Sequence, residues 1–140
     1  MANYIGATRT NYFRVKDEAA WKPWIDQLLG EDEIHDFTRT DEDGTIWHGF
    51  GCHGSVALFC LWDEDEDDGD EAPAAELQRM LADDDACIVY HAGWEKLRFV
   101  CGCAHVITSS EVKTVDIEDA GLALAREMLG NPEFETVSSY

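Results

Sequence analysis

The chain has 140 residues, 45% of them hydrophobic and 11% aromatic, and it carries 30 acids against 10 bases for a net charge of −20. That length and apolar content suit one domain with a real core, spanning 1–140, and exclude a disordered acidic tail. The charge balance disfavours direct binding to nucleic acid or to anionic membranes, since no basic patch exists to replace counterions at phosphates.

The start, Met1-Ala2-Asn3-Tyr4-Ile5-Gly6, lacks the apolar stretch of a signal peptide, and no apolar run approaches the length of a membrane span. Five cysteines, an odd count without a secretory signal, read as reduced thiols in a cytoplasm. Residues Thr10 to Val15 are aromatic and β-branched enough for a first strand. Asp17 suits a helix N-cap; the helix from Glu18 places Ala20, Trp21, Trp24, Ile25 and Leu28 at helical spacing, with Pro23 inside it and Gly30 as its stop.

Glu33 to Thr40 and Thr45 to Cys52 read as a strand and its return around Asp41-Glu42-Asp43-Gly44, a turn in which Asp-Gly supplies the required positive φ. After a turn at His53-Gly54, the nearly continuous apolar run Ser55 to Trp62 reads as a central strand covered on both faces. Pro73 opens a second helix with Leu77, Met80 and Leu81 on one face, ending at Asp83-Asp84-Asp85. Ala86 to Ala92 and Leu97 to Thr108 form a hairpin turning near Gly93 to Lys96, and Glu111 to Val115 adds a short edge strand. A third helix, Glu118 to Leu129, carries Leu122, Ala125 and Leu129 and stops at Gly130-Asn131-Pro132; 132–140 is a loose tail. The predicted class is α+β: a mostly antiparallel sheet of five to six strands with about three helices on one face.

Between Trp62 and the second helix lies Asp63 to Glu71, eight carboxylates in nine residues. No EF-hand register fits it, because neither plausible start puts a glutamate at the twelfth position. Cys101-Gly102-Cys103-Ala104-His105 is the metal candidate: on a strand the two thiols and the imidazole face one way, and Cys52, His53 or Cys60 on neighbouring strands could complete a zinc set. The spacing is not that of a zinc knuckle, and buried thiols commonly serve as small hydrophobes, so no cofactor is expected. The field of −20 opposes a reactive thiolate, and no nucleophile elbow, P-loop or dinucleotide fingerprint is present; the expectation is a non-enzymatic protein.

The opening segment Ala7-Thr8-Arg9-Thr10-Asn11-Tyr12-Phe13-Arg14-Val15-Lys16-Asp17 resembles that of small acidic proteins encoded on phages and plasmids, over about a fifth of the chain. In charge and size the chain is also similar to DNA-mimic inhibitors that mobile elements use against restriction or CRISPR systems. That resemblance implies a basic nucleic-acid-binding protein of the host, a defence effector, as partner. The residues predicted to meet it are Asp63, Glu64, Asp65, Glu66, Asp67, Asp68, Asp70 and Glu71, supported by Asp83, Asp84 and Asp85. Two alternatives stand beside this: a small zinc-binding domain using Cys101, Cys103 and His105, and a protein of a salt-loving organism without a dedicated acidic interface.

Overall fold

The structure is a computed structural model, and it describes residues 5–59, 72–97 and 99–136. Strands β1 (Ile5–Thr10), β2 (His35–Asp36), β5 (Phe50–His53), β6 (Cys87–Glu95), β7 (Phe99–Ile107) and β8 (Val112–Asp116) form one sheet in the order β2-β5-β1-β6-β7-β8. Every neighbouring pair is antiparallel. A separate two-stranded ribbon pairs β3 (Arg39–Thr40) with β4 (Ile46–Trp47). Its turn is the one predicted: Asp41 N–H donates to Thr45 O, and Gly44 takes φ +90°.

Helices α1 (Glu18–Gln27) and α2 (Pro73–Met80) lie together on one face of the sheet, joined where Trp24 Nε1–H donates to the Pro73 carbonyl. We call this the inner face. Phe13, Trp21, Trp24, Phe50, Leu58, Leu77, Leu81, Val89 and Ile107 meet there in one buried cluster. Fully burying a side chain of that size stabilises the fold by about 1.5–3 kcal/mol each before entropy is counted. Gly51 on β5 has no substitute, because a Cβ there would sit 2.9 Å from both the Thr8 carbonyl and the Phe37 ring.

Three expectations need correction. The first strand runs over Ile5–Thr10, not Thr10 to Val15. Pairing with β5 on one side and β6 on the other holds this Gly- and Ala-containing segment in the sheet. Beyond it the Asn11 side chain bridges Ala86 and Ile88, and Phe13 and Val15 make only single bridges. Second, residues 55–59 are not a strand: Val56 bridges Gly30, Ala57 N–H donates to Leu29 O and Ala74 N–H donates to Leu58 O. The run is apolar because it threads between helices and sheet, where irregular backbone still finds its hydrogen bonds. Residues 60–62 lie outside the described residues.

Third, the helices do not share one face. Helix α3 (Ile117–Leu129), N-capped by Asp116 and closed by Gly130 in the left-handed conformation, packs on the opposite, outer side. There Ile117 contacts Gly102, and Val100, Leu122 and Ala125 line one hollow. No residue of α3 is buried.

Candidate functional site

Two constellations named from sequence can be placed. The first is the acidic one. Asp83, Asp84 and Asp85 follow α2 and turn back on the segment after β1. Asp83 pairs with Lys16 (3.1 Å) and Asp84 with Arg14 (2.9 Å); Asp85 accepts from Arg14 Nε–H and from the backbone N–H of Arg14 and Ala86. These three are therefore partly neutralised, and Asp85 serves the fold by tying two distant segments. The Arg14 guanidinium is raised above its usual value by hydrogen bonding and charge from Asp84 and then Asp85. It also lies 5.7 Å from the Trp47 ring, whose Nε1–H donates to Asp41, so Asp41 to Asp43 share this end of the sheet.

Glu31, Asp32 and Glu33 occupy the other end. Glu31 N–H donates to Ser55 O, the Glu31 side chain lies over Gly54, and Gly54 N–H donates to Gly6 O at the start of β1. These three acidic clusters thus divide between both ends of the sheet, and further acids lie on α1, α2 and α3. Asp63, Glu64, Asp65, Glu66, Asp67, Asp68, Asp70 and Glu71 lie outside the described residues. Their flanks are placed: Phe59 stands edge-on to His105 of β7, 4.9 Å between ring centres, and Ala72 precedes α2.

The second constellation crosses the inner face. Cys52, Thr8, His91, Cys103 and Asp116 occupy directly paired positions on β5, β1, β6, β7 and β8. Val89, His105 and Thr114 form the adjacent row. The Thr8 hydroxyl donates to Gly54 O (2.7 Å), so its oxygen accepts from His91 Nδ1–H (2.8 Å) and sets that ring's tautomer. His105 Nδ1 lies 2.9 Å from Thr114 Oγ1, and its Nε2 lies 3.9 Å from Cys103 Sγ. Thr8, Val89, His91, Cys103 and His105 of these rows, with Phe59, line a cavity of about 220 Å³.

Burial, and then the charge of Asp116 and the neighbouring Cys101, push the Cys103 thiol up. Burial, and then His91, hold the His105 imidazole below its ordinary value. The cavity therefore holds groups biased toward neutrality, opposite to the thiolate setting a nucleophile needs. Cys52 turns its thiol to the carbonyls of Asp32 and His53, away from Cys101, Cys103 and His105. Among the described residues no three His, Cys, Asp or Glu side chains converge as a metal site.

Sequence reasoning missed His91 as a member of the inner row, because strand pairing alone brings it beside Thr8 and Cys103. It also missed a hydrogen-bonded chain at the root of α1, in which exposed Asp36, Thr38 and Glu18 hold the buried His48. Thr38 Oγ1–H donates to Asp36, its oxygen faces His48 Nδ1 at 2.9 Å, and His48 Nε2 lies 2.6 Å from Glu18. The spacing of these four residues carries no signal.

No protein-family model, curated protein or solved structure matches the chain. No helix among the described residues is long and apolar enough to cross a membrane.

Proposed function

We propose that this chain is a non-enzymatic interaction protein whose carboxylates occupy the phosphate sites of a basic nucleic-acid-binding protein, in the manner of an inhibitor of a host defence effector. One observation supports the reading: the described cations are largely committed internally. Arg14 and Lys16 serve Asp83 to Asp85, Lys22 serves Asp26, and Arg126 serves Glu135. Arg9 and Arg39 lie over the rings of Phe37 and Tyr12. Glu31, Glu33 and Glu42 have no ion-pair partner among the described residues, and the chain adds eight more carboxylates from Asp63 to Glu71. Such an excess steers association with a basic groove and is weakened by salt.

The reading ranks the acids. Asp63 to Glu71 lead, and Asp83 to Asp85 follow, because they would have to leave Arg14 and Lys16. The test is competition against a labelled DNA duplex on a panel of basic nucleic-acid-binding effectors. The parent should displace duplex at low salt and fail at high salt. Replacing the acids of Asp63 to Glu71 by Asn and Gln should abolish displacement, whereas the same change at Asp83 and Asp84 should weaken it several-fold at most. A block-neutralised variant that competes as well as the parent at low salt defeats the proposal.

A further inference from the structure

The outer face of the sheet is an anomaly in a chain with 30 acids. By register, its outward positions include Ile5, Ala7 and Arg9 on β1, and Tyr90, Ala92 and Trp94 opposite them on β6. The series continues with Val100, Gly102 and Ala104 on β7 and with Lys113 and Val115 on β8. None is Asp or Glu. The strand acids Asp36, Glu95 and Asp116 pair with Phe50, Phe99 and Cys103, on the inner side. The large side chains stand open to solvent: Trp94 is 49% exposed and Val100 61%.

Helix α3 lies over the β7–β8 half of this face and leaves the β1–β6 half as a trough floored by Ala7, Ala92, Gly102 and Ala104. Ile117 borders the trough, and Leu124 and Met128 continue its stripe along α3, at 55% and 79% exposure. Positions 117, 124 and 128 fall on one side of a helix. A helix ridge therefore lies exposed beside a small-residue floor fit to receive one.

We infer that the occupant of this trough is α3 of a second copy of the chain, in a reciprocal two-fold dimer. Three observations favour it over an unrelated partner. The ridge and the floor belong to the same molecule, which is what an isologous interface requires. A two-fold running along the strands sets the β1 side of one copy against the α3 side of the other. Arg9 then meets the acidic first turn of α3, Glu118 and Asp119, so charges at the rim are complementary. The size also fits. The half left open by α3, β1 and β6 about 4.8 Å apart with β6 nine residues long, presents roughly 300 Å² in projection, and side-chain relief and the outer side of α3 supply the rest. A stable interface buries about 800 Å² per partner. At −20 per chain, self-association is favoured where carboxylates are absent, and the strand positions that floor this trough carry none, while the acids at its rim, Glu118 and Asp119, face Arg9.

Sedimentation velocity on the full chain under reducing conditions tests the proposal at about 0.15 M and about 1 M salt, where the screening length falls from about 8 Å to about 3 Å. The parent should sediment at twice the chain mass. Ala92→Glu on the floor and Leu124→Glu on the ridge both alter exposed side chains, and each should halve the mass while the circular dichroism spectrum stays unchanged. Thr40→Glu, which adds the same charge on the exposed β3, should remain dimeric. A parent that stays monomeric up to its highest soluble concentration at both salts overturns the proposal. So do two folded charge variants that remain dimeric.

Discussion

The two faces of the central sheet are built from the same strands and obey different rules. On the inner side, small and large apolar residues interlock with α1 and α2, and the few polar groups are hydrogen-bonded, as Thr8, Thr10 and His48 are. On the outer side the residues are nearly as apolar, but α3 covers only part of them and buries none of its own. Apolar composition thus marks both faces, while contact with a covering layer marks only one. A sheet apolar on both sides usually has both sides covered. Here the second cover is incomplete in a single chain, which is why the outer face points to assembly and the inner face to stability.

Substitutions sharpen this contrast. The largest expected effect is on the inner face, where Phe50→Ala should lower the unfolding free energy by about 3–5 kcal/mol, since Phe50 is fully buried. Tyr90→Ala on the outer face should change monomer stability by only about 0.5 kcal/mol. Urea denaturation at low protein concentration measures both, and a Tyr90→Ala cost near that of Phe50→Ala would erase the distinction. Next comes His48→Ala, which removes the imidazole whose centre lies 4.3 Å from that of the Trp21 ring, tilted by 33°, and breaks the chain between Glu18 and Thr38. Because Glu18 and Thr38 are exposed and can turn to water, the cost comes from the packing of one buried side chain, about 0.5–3 kcal/mol, read from the same denaturation curves.

The smallest effect is a pH dependence from the inner cavity. His105 is held below its ordinary value by burial and then by His91, so the folded protein resists a proton that the unfolded chain accepts. Its contribution to stability is complete above the ordinary histidine value and declines as pH falls below about 6.5. His105→Gln should flatten the slope of urea midpoint against pH between about 7.5 and 5.5. An unchanged slope removes His105 as its source.

Much of the fold was legible because its signals are local. Asp-Gly at 43–44 defines the ribbon turn, Pro73 opens α2, and Gly130 closes α3, each through backbone preferences of one or two residues. The β-branched and aromatic content of β6 and β7 marks them as strands. By contrast, Ile5–Thr10 mixes β-branched Ile5, Thr8 and Thr10 with Gly6 and Ala7, which disfavour strands, and is held by partners more than forty residues away, such as His53 and Trp94. The run 55–59 is as apolar as a central strand, yet it buries Ala57 and Leu58 without a ladder. Apolar content reports burial, not the hydrogen-bond pattern that accompanies it.

The site was legible in the same uneven way. That Cys101, Cys103 and His105 face one direction follows from a two-residue period, and the structure places them so. That Cys52 turns elsewhere, and that His91 joins the row, depends on pairing between strands. Likewise, the triplet Asp83-Asp84-Asp85 is visible in the chain, but its neutralisation by Arg14 and Lys16, about seventy residues earlier, is not.

The sequence by itself determined the class, an α+β chain with an antiparallel sheet and a strong negative charge, because periodicity, turn chemistry and composition act over a few residues. Only the tertiary structure decided which carboxylates keep their charge unopposed, and which apolar face goes uncovered. Both depend on residues that meet in space after long separation along the chain, and no local preference encodes such a meeting.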